Sequence, residues 1–168
     1  MEKSFFNLSV IALLLLVSCG GNKEAKTQDV NEPVTKTELP ASGTWDGTGT
    51  VVYLSQDDFA SQVFDFRNEQ NWNYKGTVPC VIDFYADWCK PCKLVAPIME
   101  ELAAKYKGKV QFFKINVDME KDLSDAFQIR NIPSILVCPM EGNPVMTQGA
   151  LPKDQYERML DEIVFKQK

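Results

Sequence analysis

The sequence predicts an α/β fold in which a central mixed β-sheet is flanked by helices, with elements in the order βαβαβαββα. Two patterns predict it. Short β-branched and aromatic runs alternate with stretches whose apolar residues recur at helical spacing, as in a parallel core. The last two apolar runs are separated only by a turn, which adds an antiparallel hairpin.

Taken in order, "TVVYLS" reads as a short strand, and "SQDDFASQVF" as a helix with a Ser55-x-x-Asp58 capping signature and Phe59 and Val63 on one face. After a polar loop, "VPCVIDFYA" (Val78 to Ala86) is almost continuously apolar, which suits a central strand covered on both faces. Asp83 interrupts it. "PCKLVAPIMEELAAKYKGK" is a helix with Pro91 at its first position, Gly108 at its stop and a kink expected at Pro97. "VQFFKINVD" is a strand whose Asp118 is expected to cap a short helix carrying Leu123 and Phe127. The strands "SILVC" and "VMTQGA" flank the turn "MEGNP", and a last helix runs through Tyr156, Leu160 and Ile163.

Upstream, "MEKSFFNLSVIALLLLVSC" has one lysine, an apolar run from Leu8 to Val17, and Ser18 before Cys19. The run is long enough for a signal-peptide core and too short to span a bilayer. Its ending resembles a bacterial lipobox, which implies cleavage before Cys19 and a lipid on that sulfur. Residues 1–18 are then a lipoprotein signal peptide, 19–47 a lipid-anchored flexible tether too polar to form a core, and 48–168 the folded domain. The chain is expected to be exported and periplasmic.

Composition excludes several functions. A net charge of −5 with dispersed lysines argues against a nucleic-acid surface. The absence of histidine removes the commonest metal ligand and general base. Five cysteines are too few for a disulfide scaffold, and the odd count gives one of them, Cys19, a separate fate.

"ADWCKPCK" has three readings: half a metal site, a structural clip or a redox dithiol. A metal site lacks its other ligands, since there is neither a second cysteine pair nor a histidine. A clip across so short a loop restrains the unfolded chain least. Placement favours redox use. Cys89 falls where the strand hands over to the helix, and a helix start stabilises a thiolate. Cys92 lies one turn further on the same face, within disulfide reach. The outer sulfur, Cys89, is expected to be accessible and the inner one shielded. Cys80 and Cys138 lie in apolar strands and read as buried free thiols; a second disulfide would require a fold that makes their strands antiparallel neighbours and meets the geometry closely.

"VIDFYADWCKPCK", "FFKINVD", "IRNIPSIL" and "TQGAL", in that order from about Thr50 onward, resemble the thioredoxin family. The resemblance implies the thioredoxin fold and a thiol–disulfide oxidoreductase that reduces or isomerises disulfides in exported proteins through WCKPC. Its redox group would be the Cys89–Cys92 disulfide, with no cofactor and no metal. It also implies roles: Cys89 as nucleophile, Cys92 as resolving thiol, and Asp83 as the buried carboxylate that relays its proton. Asp83 could alternatively be a structural acid paired with Lys114. Pro133 would follow a cis peptide bond, and Ile132 would offer its backbone to substrate beside Trp88, Gly149 and Ala150. For Trp88 the alternative is core packing. The implied partners are disulfide-containing exported proteins and a membrane or exported thiol reductant that recharges a monomeric domain.

Lys90, Pro91 and Lys114 would tune the dithiol. Lys90 stands where the family usually has glycine, and Tyr85 where tryptophan is common. An exposed lysine contributes at most about 1 kcal/mol, or about 20 mV for two electrons. About 150 mV separates thioredoxin from strongly oxidising dithiol proteins. Lys90 therefore leaves a reductant or isomerase, expected near about −230 to −280 mV. A reductant dedicated to cytochrome c maturation would carry an insertion that is absent here. The alternative from another class is a membrane-tethered binding module or holdase without redox turnover.

Overall fold

The computed structural model describes Gly43 and residues 46–165. The expected signal peptide, Cys19 and most of the expected tether, including Trp45, lie outside the described residues. Within the span expected to be a tether, the Gly43 N–H donates to the Tyr53 carbonyl at 3.3 Å, so Gly43 lies against the first strand. Among the described residues no helix is long and apolar enough to cross a membrane.

The elements follow the expected order: β1 (Val51–Tyr53), α1 (Gln56–Gln62), β2 (Cys80–Tyr85), α2 (Lys90–Lys105), β3 (Gln111–Asn116), α3 (Lys121–Ala126), β4 (Ser134–Cys138), β5 (Val145–Gln148) and α4 (Lys153–Leu160). They form one mixed sheet in the order β1-β3-β2-β4-β5. β1 and β2 both run parallel to β3, while β4 is antiparallel to β2 and to β5. Helical crossovers join the parallel strands, and the short 139–144 connection permits only the antiparallel β4–β5 pair.

β2 is central because both its faces are apolar. Side chains alternate across a strand, so Cys80, Ile82 and Phe84 enter one core with Leu54, Phe59, Phe113 and Leu123. Val81 faces the other core with Val95, Met99, Leu102, Ile135 and Tyr156. Asp83, two residues beyond Val81, is thereby directed to the α2 side.

The Ser55 cap forms as predicted, its Oγ accepting from the Asp58 N–H at 3.1 Å. Other details differ from expectation. Asp118 does not cap α3, whose N-cap is Glu120 without a side-chain cap bond. Its carboxylate instead accepts from Trp88, so a tertiary partner outcompetes the local one. α2 begins at Lys90, one residue ahead of Pro91, and continues through Pro97. α4 ends at Leu160 and Ile163 falls in a π-helical turn, Asp161–Phe165.

Cap and core should separate cleanly in urea unfolding. Ser55→Ala is expected to cost about 1 kcal/mol. Phe59→Ala, which empties a fully buried site in edge-to-face contact with Phe66 and Phe127, should cost about 3–5 kcal/mol.

Candidate active site

The site forms at the carboxyl end of β2. Continuous apolar pressure ends at Ala86, the chain turns through Asp87 and Trp88, and α2 starts at Lys90. Cys89 is the N-cap of α2, and its sulfur accepts the Cys92 N–H at 3.2 Å. Serine, threonine or aspartate usually supplies that acceptor. With sulfur there, the helix's unsatisfied amino-terminal N–H groups and its dipole act on the thiol and favour its anionic form.

Cys89 and Cys92 are joined in a disulfide, with Cα atoms 5.3 Å apart. Contrary to expectation, the outer sulfur is not the more accessible in this oxidised state: both cysteines are 3 % exposed. They form a small apolar cluster with Ala86, against which Tyr85, Val117 and Ile132 pack. The bond ties Cys89 to its inner partner, and Ile132 packs against the pair. Cap position, rather than exposure, distinguishes the two sulfurs.

Asp83 is 4 % exposed, and its Oδ1 is buried without a hydrogen-bond partner. It lines a cavity of about 150 Å³ together with Cys92, Tyr85, Lys93 and Lys114. Burial pushes its carboxyl up to about 7, against the opposing pull of the Lys114 ammonium. The two are register partners on β2 and β3. Yet no ion pair joins them among the described residues, and Lys114 Nζ sits 6.0 Å from the Tyr85 ring centroid.

The remaining predicted residues divide by location. Trp88 is 67 % exposed, which excludes core packing, and its indole N–H donates to Asp118 at 2.8 Å. The Ile132–Pro133 peptide bond is cis, as expected. Pro133 is buried, and its carbonyl accepts the Gly149 N–H at 2.8 Å, which brings Gly149 and exposed Ala150 beside the 132–133 loop. Lys90 and Pro91 are exposed on the first turn of α2. Sequence reasoning misassigned Asp118 and gave no role to Lys93. Asp118 carries no local signal, since it meets Trp88 from a distant segment, whereas Lys93 directly follows Cys92 and was legible from its place in the motif.

A disulfide of CxxC spacing that caps a helix at the end of a buried parallel strand defines a thiol–disulfide oxidoreductase. The chain belongs to the thioredoxin family, whose profile, "Thioredoxin", matches residues 50–162. It is 39% identical over 111 residues to the thioredoxin of Borreliella burgdorferi, covering 66% of this chain and 95% of that one. Against the thioredoxin of Haemophilus influenzae it is 36% identical over 113 residues, covering 67% and 95% respectively. Among solved structures, chloroplastic thioredoxin z matches with a TM-score of 0.58 and 28% identity over 68% of this chain and 94% of that one. The family's redox group is a disulfide of the polypeptide itself, so the chemistry needs no cofactor.

The sign of the Asp83 effect on stability follows from its raised pKa. An unfolded aspartate titrates near about 3.9. Between there and about 7 the oxidised native protein holds a proton that the unfolded chain has lost. Stability is therefore lost as pH rises through that window, by an amount on the order of a few kcal/mol. Asp83→Asn should unfold at higher urea than the wild type at pH 8 and show a flatter stability profile between about pH 4 and 7. Equal midpoints at pH 8 would show that the carboxylate is solvated.

Proposed function

We propose that this chain is an exported, lipid-anchored protein-disulfide reductase or isomerase that works by dithiol–disulfide exchange through Trp88–Cys92. The observation that carries the reading is the seat of Cys89, whose sulfur is the acceptor at the amino end of a helix.

In the reduced protein, the Cys89 thiolate attacks one sulfur of a client disulfide. A mixed disulfide forms and the client's other sulfur leaves as thiolate. The Cys92 thiol passes its proton to the Asp83 carboxylate across the cavity they share. Cys92 then attacks the Cys89 sulfur, releasing the second client thiolate and restoring the internal disulfide. Both client sulfurs are reduced, and two electrons have left the Cys89–Cys92 dithiol. A carboxyl titrating near neutrality suits this relay, because it can both take and return a proton at working pH. Lys114, half-buried beside the cavity, keeps that pKa from rising further.

Because the cysteine pair is covered in its oxidised form, access to it depends on the surrounding surface. Exposed Trp88, the backbone of Ile132 and the Gly149–Ala150 segment supply an edge along which an extended client segment can lie. Exposed Lys90 is too well solvated to make the dithiol an oxidant.

The lipobox-like "LVSC" supports attachment to a membrane through Cys19. Outside the cytoplasm the spent disulfide needs an exported or membrane-bound thiol reductant, and the clients are disulfide-containing exported proteins. The domain acts as a monomer.

With dithiothreitol as electron source, Cys89→Ala should lose catalysis of insulin reduction entirely. Insulin reduction no faster than with dithiothreitol alone, for wild type and variant alike, would leave the tethered binding module as the reading. Cys92→Ala should accumulate mixed disulfides with exported proteins in cells. The redox potential should lie near about −230 to −280 mV, and a value above about −170 mV would make the protein an oxidant. Cys19→Ser is expected to move the chain from the membrane fraction to the soluble one, and its retention on the membrane would remove the lipid anchor.

A further inference from the structure

The mechanism leaves two thiols unused. Cys80, at the start of β2, and Cys138, at the end of β4, are direct register partners across the antiparallel β2–β4 pair. Both are 0 % exposed and lie on the same face of the sheet, in the core built around Phe59 and Phe84. Each is a cysteine thiol rather than half of a disulfide in this structure. Both side chains enter the same core cluster from neighbouring strands.

We propose that Cys80 and Cys138 are a second redox dithiol, which closes to a cross-strand disulfide joining β2 to β4. Directly opposed residues of an antiparallel pair have Cα atoms about 4.5–5.5 Å apart, inside the range of about 4.4–6.8 Å that a disulfide spans. The two residues are already register partners, so closure needs no change of register. The β2–β4 ladder that positions Asp83 against Ile135 is the one that fixes this pair.

The reaction takes a small-molecule disulfide, such as glutathione disulfide, as oxidant. One cysteine thiolate attacks it and expels a first thiol. The facing cysteine attacks the resulting mixed disulfide and expels a second. The two cysteine protons end on the two departing glutathione sulfurs, and the two electrons pass to the oxidant with them.

The active-site disulfide of the same molecule cannot serve as that oxidant. Cys80 and Tyr85 bound β2, and five residue steps of about 3.3 Å place its ends about 17 Å apart. Cys89 lies beyond the far end. The two dithiols are therefore separate redox centres.

Burial makes the second one slow in the folded state. Desolvation and the contact with Cys80 hold the Cys138 thiol well above its ordinary pKa, which starves the exchange of thiolate. The ring of Tyr74, whose hydroxyl donates to the Val78 carbonyl, packs against the same core. Closure and reopening therefore proceed while the chain folds or when this end of the sheet opens, and a closed bond is kinetically trapped.

The test uses the full chain carrying Cys89→Ser and Cys92→Ser, unfolded in urea and refolded in a buffer of reduced and oxidised glutathione. Remaining thiols are then blocked and the protein is mapped as proteolytic peptides. The expected product links the Cys80 peptide to the Cys138 peptide. It should be reduced by dithiothreitol at least about tenfold more slowly under native conditions than in urea, and should unfold at higher urea than the reduced sample. Recovery of Cys80 and Cys138 as separate thiols, as glutathione adducts or linked to Cys19 would overturn the proposal. Should the double variant fail to fold, the same map on the wild-type chain decides. Two internal bonds, Cys89–Cys92 and Cys80–Cys138, support the proposal, and the first bond alone sinks it.

Discussion

A sulfur atom occupies the acceptor position that begins α2, and the rest of the site is arranged around that one hydrogen bond. The Cys92 N–H reaches Cys89 Sγ because β2 ends and α2 begins within five residues. The strand is held by parallel β3 on one side and antiparallel β4 on the other, so its end cannot drift. The helix is held by Val95, Met99 and Leu102 in the core. A rigid strand and a rigid helix fix the junction between them, and the reactive pair inherits its geometry from that junction.

Asp83 sets function against stability. Side-chain alternation directs it to the α2 side of the sheet, where an apolar residue would pack better, and one of its oxygens has no hydrogen-bond partner. The compensation from Lys114 is incomplete because the ammonium interacts at a distance rather than in an ion pair. Dielectric surroundings also rank the site's lysines. Lys90 is nearest the dithiol in sequence but points into water, where its field is screened. Lys114 is distant in sequence but half-buried beside the carboxylate, so its charge is felt.

Access to the disulfide is governed by its covering rather than by its position in the chain. Ile132 packs on the cysteine cluster, while Trp88 stands outside it, tied by its indole N–H to Asp118. That bond draws an aspartate away from the helix it would otherwise cap. The contact therefore links the loop after β3 to the loop after β2, and both bound the active face.

Local physics is written in the sequence. The order of elements, the Ser55 cap, the central position of β2 and the apolar faces of α2 follow from spacing and residue type alone, because each depends on neighbours within a turn or a strand. The cysteine pair was legible for the same reason, since its helix-start position is a local property. Tertiary packing decided the rest. It buried Cys89 as deeply as Cys92, took Asp118 from α3 and kept Lys114 short of an ion pair with Asp83. It also set Cys80 directly opposite Cys138. Those outcomes depend on which distant segments meet and in what register, and no window of the chain contains both sides of such a contact.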